Sequence, residues 1–174
     1  MKSQLVRHIL PHQKTRARLK SYLFIFLGAV ISCSTIKNDV YQISSVGLIR
    51  KHHDVTTIEI DVKYEDGILG LNEFSHVLVC YWLHKNDNPD KREILQVYPR
   101  GNPQNPLHGV FATRSPVRPN LIGLSICKIL SIEDNIIQID TIDAYDGSPV
   151  IDLKPYIPDI DLKEDVHVPE WVYR

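Results

Sequence analysis

Two arginines in a proline-rich stretch are the residues of this sequence best suited to bind an anion. Arg114 and Arg118 lie within the stretch 109–125, each followed by a proline, Pro116 or Pro119. Proline fixes φ and lacks an amide hydrogen, so this stretch cannot be a regular helix or an inner strand. A stiff loop with two guanidinium groups suits carboxylate or phosphate, because guanidinium offers paired donors. The alternative is a structural turn whose arginines lie in water.

A second candidate site is the acidic segment that follows a predicted strand. Asp143 and Asp146 flank Ala144 and Tyr145, directly after the strand predicted at 136–142, where apolar and polar residues alternate. Carboxylates at a strand end can accept hydrogen bonds from ribose hydroxyls or from an amine. Aspartate also favours turns because it bonds its own backbone, so these residues alone leave both interpretations open.

Two further polar groups stand at predicted strand ends. His84 and Lys85 follow the apolar run 76–83, where a histidine commonly caps the strand. Lys154 and Tyr156 lie in the segment DLKPY, close to Asp152. A lysine beside a carboxylate and a tyrosine can tune a proton transfer, or it can pin the last strand to the rest of the fold.

The chain has 174 residues, a length that suits one domain with a full core. Charge is distributed unevenly along it. Positions 1–40 hold seven Lys and Arg and one acidic residue, a balance of +6, whereas positions 41–174 hold 13 basic and 20 acidic residues, a balance of −7. A general nucleic-acid-binding surface is basic, so nucleic-acid contact by this body requires a local patch. The candidates are Lys91, Arg92, Arg100, Arg114 and Arg118.

The N-terminal segment resembles an export or lipoprotein signal. Basic residues precede the uncharged run 21–32, which is shorter than the about 20 residues that span a membrane. Val30 to Cys33 resembles a lipobox, which predicts lipidation at Cys33 and a membrane-anchored body. The alternative is a cytoplasmic location. It follows if translation starts downstream of this segment, or if the segment is an uncleaved anchor whose basic residues keep the body on the cytoplasmic side. The predicted organisation is an extension and linker at 1–40, a domain at 41–162 and a tail at 163–174.

Neither a metal site nor a Rossmann site is predicted. Cys80 and Cys127 lie in apolar runs without the close spacing of metal ligands, which indicates buried, inert thiols. The eight histidines form no convincing ligand pair with a nearby carboxylate. No GxGxxG motif follows a strand.

Short apolar runs at regular spacing predict an all-β fold. Residues 55–62 alternate apolar and polar types, which is typical of a strand with one wet face. The run 76–83 is apolar throughout and predicts a strand buried on both faces. Strands are also expected at 94–98 and 150–153, with a hairpin from 122–132 to 136–142 and one short helix within 64–74. The prediction is a small antiparallel β-barrel with one or two short helices.

Several blocks, in order along residues 43–161, resemble the TsaA-like family, the TrmO-type tRNA methyltransferases. They are FSH at 74–76, ATRSPVRPN at 112–120, IGLS at 122–125 and DGSPVIDLKPY at 146–156. The resemblance implies a β-barrel that forms a homodimer and uses S-adenosylmethionine. It further implies methylation of N6 of threonylcarbamoyl-adenosine in tRNA, next to the anticodon.

The same resemblance implies roles for individual residues. Those matched to cofactor-binding positions are His84, Lys85, Arg114, Leu124, Asp143, Ala144, Tyr145 and Asp146, with Arg114 as the partner of the methionine carboxylate. Arg118, Lys154 and Tyr156 are expected to contact substrate, and the catalytic residue is unknown. The chain departs from the family pattern at Leu121 and Ser148, and it lacks a PRQPG-like segment and the C-terminal domain of longer members. The alternative function is a non-catalytic, lipid-anchored binding protein that keeps the barrel.

Overall fold

Six of the eight strands close into an antiparallel barrel in the computed structural model, which describes residues 39–173. The strands are β1 (Gly47–His52), β2 (Val55–Ile60), β3 (His76–Trp82), β4 (Gln96–Val97), β5 (His108–Gly109), β6 (Ile122–Glu133), β7 (Ile136–Ile139) and β8 (Pro149–Pro155). Around the barrel the order is β1-β2-β7-β6-β3-β8, while β4 and β5 pair separately. The predicted fold class is confirmed.

Helical structure in the described residues is limited to short pieces between and after the strands. The α-helices are α1 (Pro89–Arg92) and α2 (Pro158–Asp161). Short 3-10 helices lie at Val62–Ile68, Leu71–Glu73, His84–Asn86, Pro99–Gly101, Val110–Ala112 and Glu170–Tyr173. Two of these 3-10 helices occupy 62–73, where the sequence predicts one short helix.

Because side chains alternate between the two faces of a strand, every second side chain points into the barrel. Ile58 on β2, Val77 and Val79 on β3, and Ile137 on β7 are all fully buried. These residues lie on the inner face of each strand, where facing side chains can fill the interior of so small a barrel. The core is therefore the barrel interior, and the strand ends are left to carry polar residues.

Three strand predictions need correction. β3 is not buried on both faces: its residues alternate between buried and half-buried, because the outer face is covered only by single side chains such as Tyr156 near His76 and Arg92 over Trp82. The strand predicted at 94–98 is reduced to β4, since its partner β5 offers only two residues for pairing. Val62 was expected to continue β2, but it is 71% exposed and begins a 3-10 turn.

The hairpin of β6 and β7 is confirmed, with Glu133 paired to Ile136 across a tight turn. The segment 113–121, called the arginine loop from here on, connects the 3-10 turn after β5 to β6 and is irregular throughout. Its last residue, Leu121, is fully buried, and its carbonyl accepts a hydrogen bond of 2.8 Å from the Leu83 amide. The arginine loop is thus fixed to the end of β3.

The two cysteines of the described body are free and differ in burial. Cys127 on β6 is fully buried, whereas Cys80 on β3 is half-buried, so the prediction of a buried thiol holds fully for Cys127 and partly for Cys80. The predicted lipidation site Cys33 lies outside the described residues. Within residues 39–173, no helix is long and apolar enough to cross a membrane.

We expect Cys127 to make stability depend on alkaline pH. Burial raises the pKa of its thiol from 9.0 to about 11. The folded state binds the thiol proton more tightly than the unfolded state does, which stabilises the fold while the thiol is protonated. This stabilisation is complete below pH 9 and is lost as the pH rises through 11. Urea unfolding from pH 8 to pH 11 should therefore show a decline that is shallower in Cys127→Ala, by roughly 2 kcal/mol over the range. Parallel curves for the two proteins would contradict this account.

Candidate functional site

A cavity of about 780 Å³ lies at one end of the barrel, within the size range of small-molecule sites. Its walls come from the end of β3, the start of β6, the arginine loop and the turn 142–148. The residues that line it are Lys51, Tyr81, Leu83, Asn86, Arg114, Pro116, Arg118, Ile122, Gly123, Leu124, Ser125, Ile142, Asp143, Ala144, Tyr145 and Ser148.

The floor of the cavity is the ring of Tyr81, which lies across β6 at a glycine. Tyr81 pairs with Gly123 in the register of β3 and β6, and a Cβ atom on Gly123 would come within 2.5 Å of two ring carbons. The glycine is therefore required for the ring to lie flat. Burial raises the pKa of the Tyr81 phenol, an effect partly opposed by a hydrogen bond with the Ser125 side chain. The phenol stays protonated at neutral pH and offers a polar edge to the cavity.

The two aspartates of the acidic turn have different surroundings. Oδ1 of Asp146 accepts a hydrogen bond of 2.9 Å from the Lys51 amide, so Asp146 ties the turn to β1. Lys51 adds a second tie, because its Nζ donates to the Ile142 carbonyl at 2.7 Å. Asp143 lines the cavity and has no hydrogen bond or ion pair with any described residue. Of the two carboxylates, Asp143 is the one left to bind a ligand.

The two arginines of the arginine loop also differ. Arg118 is half-buried, and its guanidinium donates to the Val110 carbonyl at 3.3 Å. Arg114 is exposed at the cavity wall and makes no hydrogen bond or ion pair within residues 39–173. Asp143 and Arg114 thus place one uncommitted charge of each sign in the same cavity.

His84 and Lys85 border the cavity without lining it. His84 Nδ1 lies 3.2 Å from the hydroxyl of Ser148, which is buried in the cavity wall. The histidine therefore reaches the site through Ser148. Lys85 is exposed, and its backbone carbonyl accepts a hydrogen bond of 3.3 Å from Lys91 Nζ.

Lys154 and Tyr156 do not line the cavity. Lys154 pairs with Leu78 in the register of β3 and β8. Leu78 lies three residues before the cavity residue Tyr81, so Lys154 is away from the cavity. Its Nζ forms an exposed ion pair with Asp152 at 2.7 Å, which raises the pKa of the lysine. The Tyr156 ring packs near His76 at the start of β3, with ring centroids 6.3 Å apart. The Lys154 ion pair lies within β8, whereas the contact of Tyr156 with His76 fastens the end of β8 to β3.

The structure therefore brings together six of the residues selected from the sequence: Arg114, Arg118, Leu124, Asp143, Ala144 and Tyr145. Sequence reasoning missed Lys51, Tyr81, Asn86, Ser125 and Ser148 as cavity residues. A tyrosine within an apolar run and a glycine in a strand were usable signals for the floor, but only the register shows that they meet. In the described part of the chain, no group of three His, Cys, Asp or Glu residues is placed to hold a metal ion.

Comparisons with known proteins agree on one relationship. Residues 45–162 match the profile of the tRNA-methyltransferase O N-terminal domain. A probable S-adenosyl-L-methionine-binding protein of Methanocaldococcus jannaschii is 44% identical over 122 residues, covering 70% of this chain and 97% of that protein. The tRNA (adenine(37)-N6)-methyltransferase of Mus musculus is 41% identical over 104 residues, covering 60% of this chain and 23% of that protein.

Solved structures show the same relationship. The crystal structure of TrmO from Pseudomonas aeruginosa superimposes with a TM-score of 0.61 at 25% identity. The superposition covers 79% of this chain and 64% of that chain. The chain therefore spans less than two thirds of the solved protein and about a quarter of the mouse enzyme.

We expect Gly123→Ala to disrupt the cavity floor. The added methyl group would displace the Tyr81 ring, at a cost of about 1–3 kcal/mol typical of overpacking. Urea unfolding measures this loss. Gly67→Ala is the matched control, because a Cβ atom at Gly67 has no atom within 4 Å. Equal stability of the two variants would show that the ring does not depend on the glycine.

Proposed function

Because the chain belongs to the tRNA-methyltransferase O N-terminal domain family, we propose that it is an S-adenosylmethionine-dependent methyltransferase that acts on N6 of an adenine in tRNA. The observation that carries the proposal is the uncommitted pair of Arg114 and Asp143 in one cavity of suitable size. A cofactor with a carboxylate at one end and ribose hydroxyls at the other needs this combination of groups.

The residues of the cavity fit such a cofactor. Arg114 would pair with the methionine carboxylate, since a guanidinium can donate two parallel hydrogen bonds to it. Asp143 would accept hydrogen bonds from ribose hydroxyls or from the amino group. Leu124, Ala144 and Tyr145 would provide apolar contact, as in most small-molecule sites. His84 would act through Ser148, and Asp146 would hold the turn in place.

Catalysis in this site would rest mainly on positioning. The bound cofactor supplies a methyl group on a positively charged sulfonium sulfur. The protein then has to hold the attacked amine in line with that methyl group, which lowers the barrier by removing the entropy cost of encounter. The amine gives up one proton as its nitrogen takes the methyl group. The arginine loop and the turn 142–148 would hold the two reactants from opposite walls.

The finer proposal concerns the substrate, for which we infer threonylcarbamoyl-adenosine next to the anticodon. This modified base carries a carboxylate, and Arg118 at the cavity wall provides a cation for it. tRNA is a polyanion whereas residues 41–174 carry an acidic excess, so contact would be local to this end of the barrel. Both tRNA and the cofactor are cytoplasmic, which favours the cytoplasmic location over the lipid-anchored one.

The cofactor assignment makes Arg114 important for affinity. Isothermal titration of the full chain with S-adenosylmethionine should show binding, and Arg114→Ala should weaken it by about tenfold or more, the typical value of a charge-assisted hydrogen bond. Lys63→Ala is the control, because Lys63 pairs with Asp61 at 3.3 Å and does not line the cavity. No heat at millimolar ligand with wild-type protein would refute the assignment and favour the non-catalytic alternative.

The substrate assignment is tested on cellular tRNA. Mass spectrometry of tRNA nucleosides should find threonylcarbamoyl-adenosine without its methyl group in a strain that lacks the gene. Complementation with the wild-type gene should restore the methylated form, and complementation with Asp143→Asn should restore much less. Identical nucleoside profiles with and without the gene would exclude this substrate.

A further inference from the structure

Arg92, at the end of α1, joins two segments that border the cavity. Its Nε donates to Asp87 Oδ1 at 2.9 Å, and its NH2 lies 2.9 Å from the same oxygen. Its NH1 donates to the Pro119 carbonyl at 3.0 Å. The guanidinium also lies over the Trp82 ring, 5.3 Å from the centroid. One side chain therefore links the end of β3 to the arginine loop.

The partner of Arg92 is itself held firmly. Oδ2 of Asp87 accepts a hydrogen bond of 2.8 Å from Trp82 Nε1, so both carboxylate oxygens are occupied. The Trp82 hydrogen bond, followed by the one from Arg92, lowers the pKa of Asp87. The carboxylate is charged at neutral pH and fixes the direction in which Arg92 points.

Apart from the bond between the Leu83 amide and the Leu121 carbonyl at its end, the arginine loop depends on such an external attachment. Its own hydrogen bonds are short-range: Ser115 N donates to Thr113 Oγ1 at 3.2 Å, and Val117 N donates to Ser115 Oγ at 3.3 Å. Prolines at 116 and 119 have no amide hydrogen to contribute. The Pro119 carbonyl follows Arg118 directly, so the atom that Arg92 holds sets the position of the neighbouring cavity arginine.

Only a guanidinium can make this set of contacts. Three nitrogens of Arg92 contact two acceptors on different segments, Asp87 and the Pro119 carbonyl, while the guanidinium plane lies over the Trp82 indole. A lysine ammonium is a single charged group that can reach only one of these acceptors. Arg92 was expected to belong to a local patch for tRNA phosphate. Its nitrogens are instead committed to Asp87 and Pro119, which leaves less of it available for an external anion.

We propose that Arg92 is a positioning residue, which holds the arginine loop against the cavity so that Arg114 and Arg118 are presented to an anionic ligand. Its effect on the ligand rests on the proposed function, whereas its effect on the loop does not. The experiment therefore has one arm without ligand and one arm with S-adenosylmethionine.

The first arm measures hydrogen exchange by mass spectrometry on the full chain without ligand. In Arg92→Lys, amides in 115–121 should exchange about tenfold faster, as expected for the loss of one charge-assisted hydrogen bond, while amides in 124–132 stay unchanged. Arg50→Lys is the matched control, because it replaces the guanidinium of a comparable exposed pair with Glu59 on the barrel. No change in 115–121, or an equal increase across β6, overturns the proposal.

The second arm is a double-mutant cycle on S-adenosylmethionine affinity. Arg92→Lys should weaken binding by about tenfold in the wild-type background and have little further effect when Arg114 is already alanine, because it acts through the arginine loop. A purely structural loss would be the same in both backgrounds, and that result would overturn the proposal. If wild-type protein does not bind the cofactor, the proposed function fails, and the exchange arm alone decides the role of Arg92.

Discussion

A short seam between β1 and β8 closes the barrel, and the cavity depends on that seam. Only two register pairs join these strands, Gly47 with Val150 and Leu48 with Pro149. Beyond them the ladder continues onto the turn before β8: Ile49 N donates to the Ser148 carbonyl at 2.9 Å, and Gly147 N donates to the Ile49 carbonyl at 2.8 Å. The bonds that close the barrel are therefore the ones that fix the turn carrying Asp143 to Tyr145.

Charge in the cavity is divided between groups that build it and groups that face it. Lys51 and Asp146 spend hydrogen bonds on backbone groups of the protein and secure a wall, and Arg118 does both, because one of its nitrogens donates to the Val110 carbonyl while the side chain lines the cavity. Arg114 and Asp143 have no such partner among the described residues. A site that binds a zwitterionic ligand needs both classes, because a free charge is useful only when its backbone is held at a fixed distance from the opposite wall.

The barrel could be predicted from the sequence because its strands alternate with period two and its turns carry glycine, proline and aspartate. Part of the candidate site could be selected: Arg114, Arg118 and Asp143 from their residue types beside predicted strands, and Leu124, Ala144 and Tyr145 only through the family resemblance. The sequence does not predict which residues pair across the barrel: Tyr81 and Gly123 meet only through the register of β3 and β6. Nor could residue type separate Asp143 from Asp146, since the difference lies in which of them Lys51 contacts. The two-residue pairing of β4 with β5 is likewise too short to leave a pattern.

The contacts at the seam and at the binding end of the barrel join residues that are far apart in the chain, which determines when they form during folding. The bonds from Lys51 to Asp146 and to Ile142 span 95 and 91 positions of the chain. The hairpin of β6 and β7 needs only neighbouring residues, so it can assemble early, whereas long-range contacts pay a larger loop-closure entropy and form late. During translation β1 leaves the ribosome first and has no partner at the seam until β8 emerges. The binding end of the barrel is thus completed last, and a nascent chain that stops before the acidic turn has strands but no pocket.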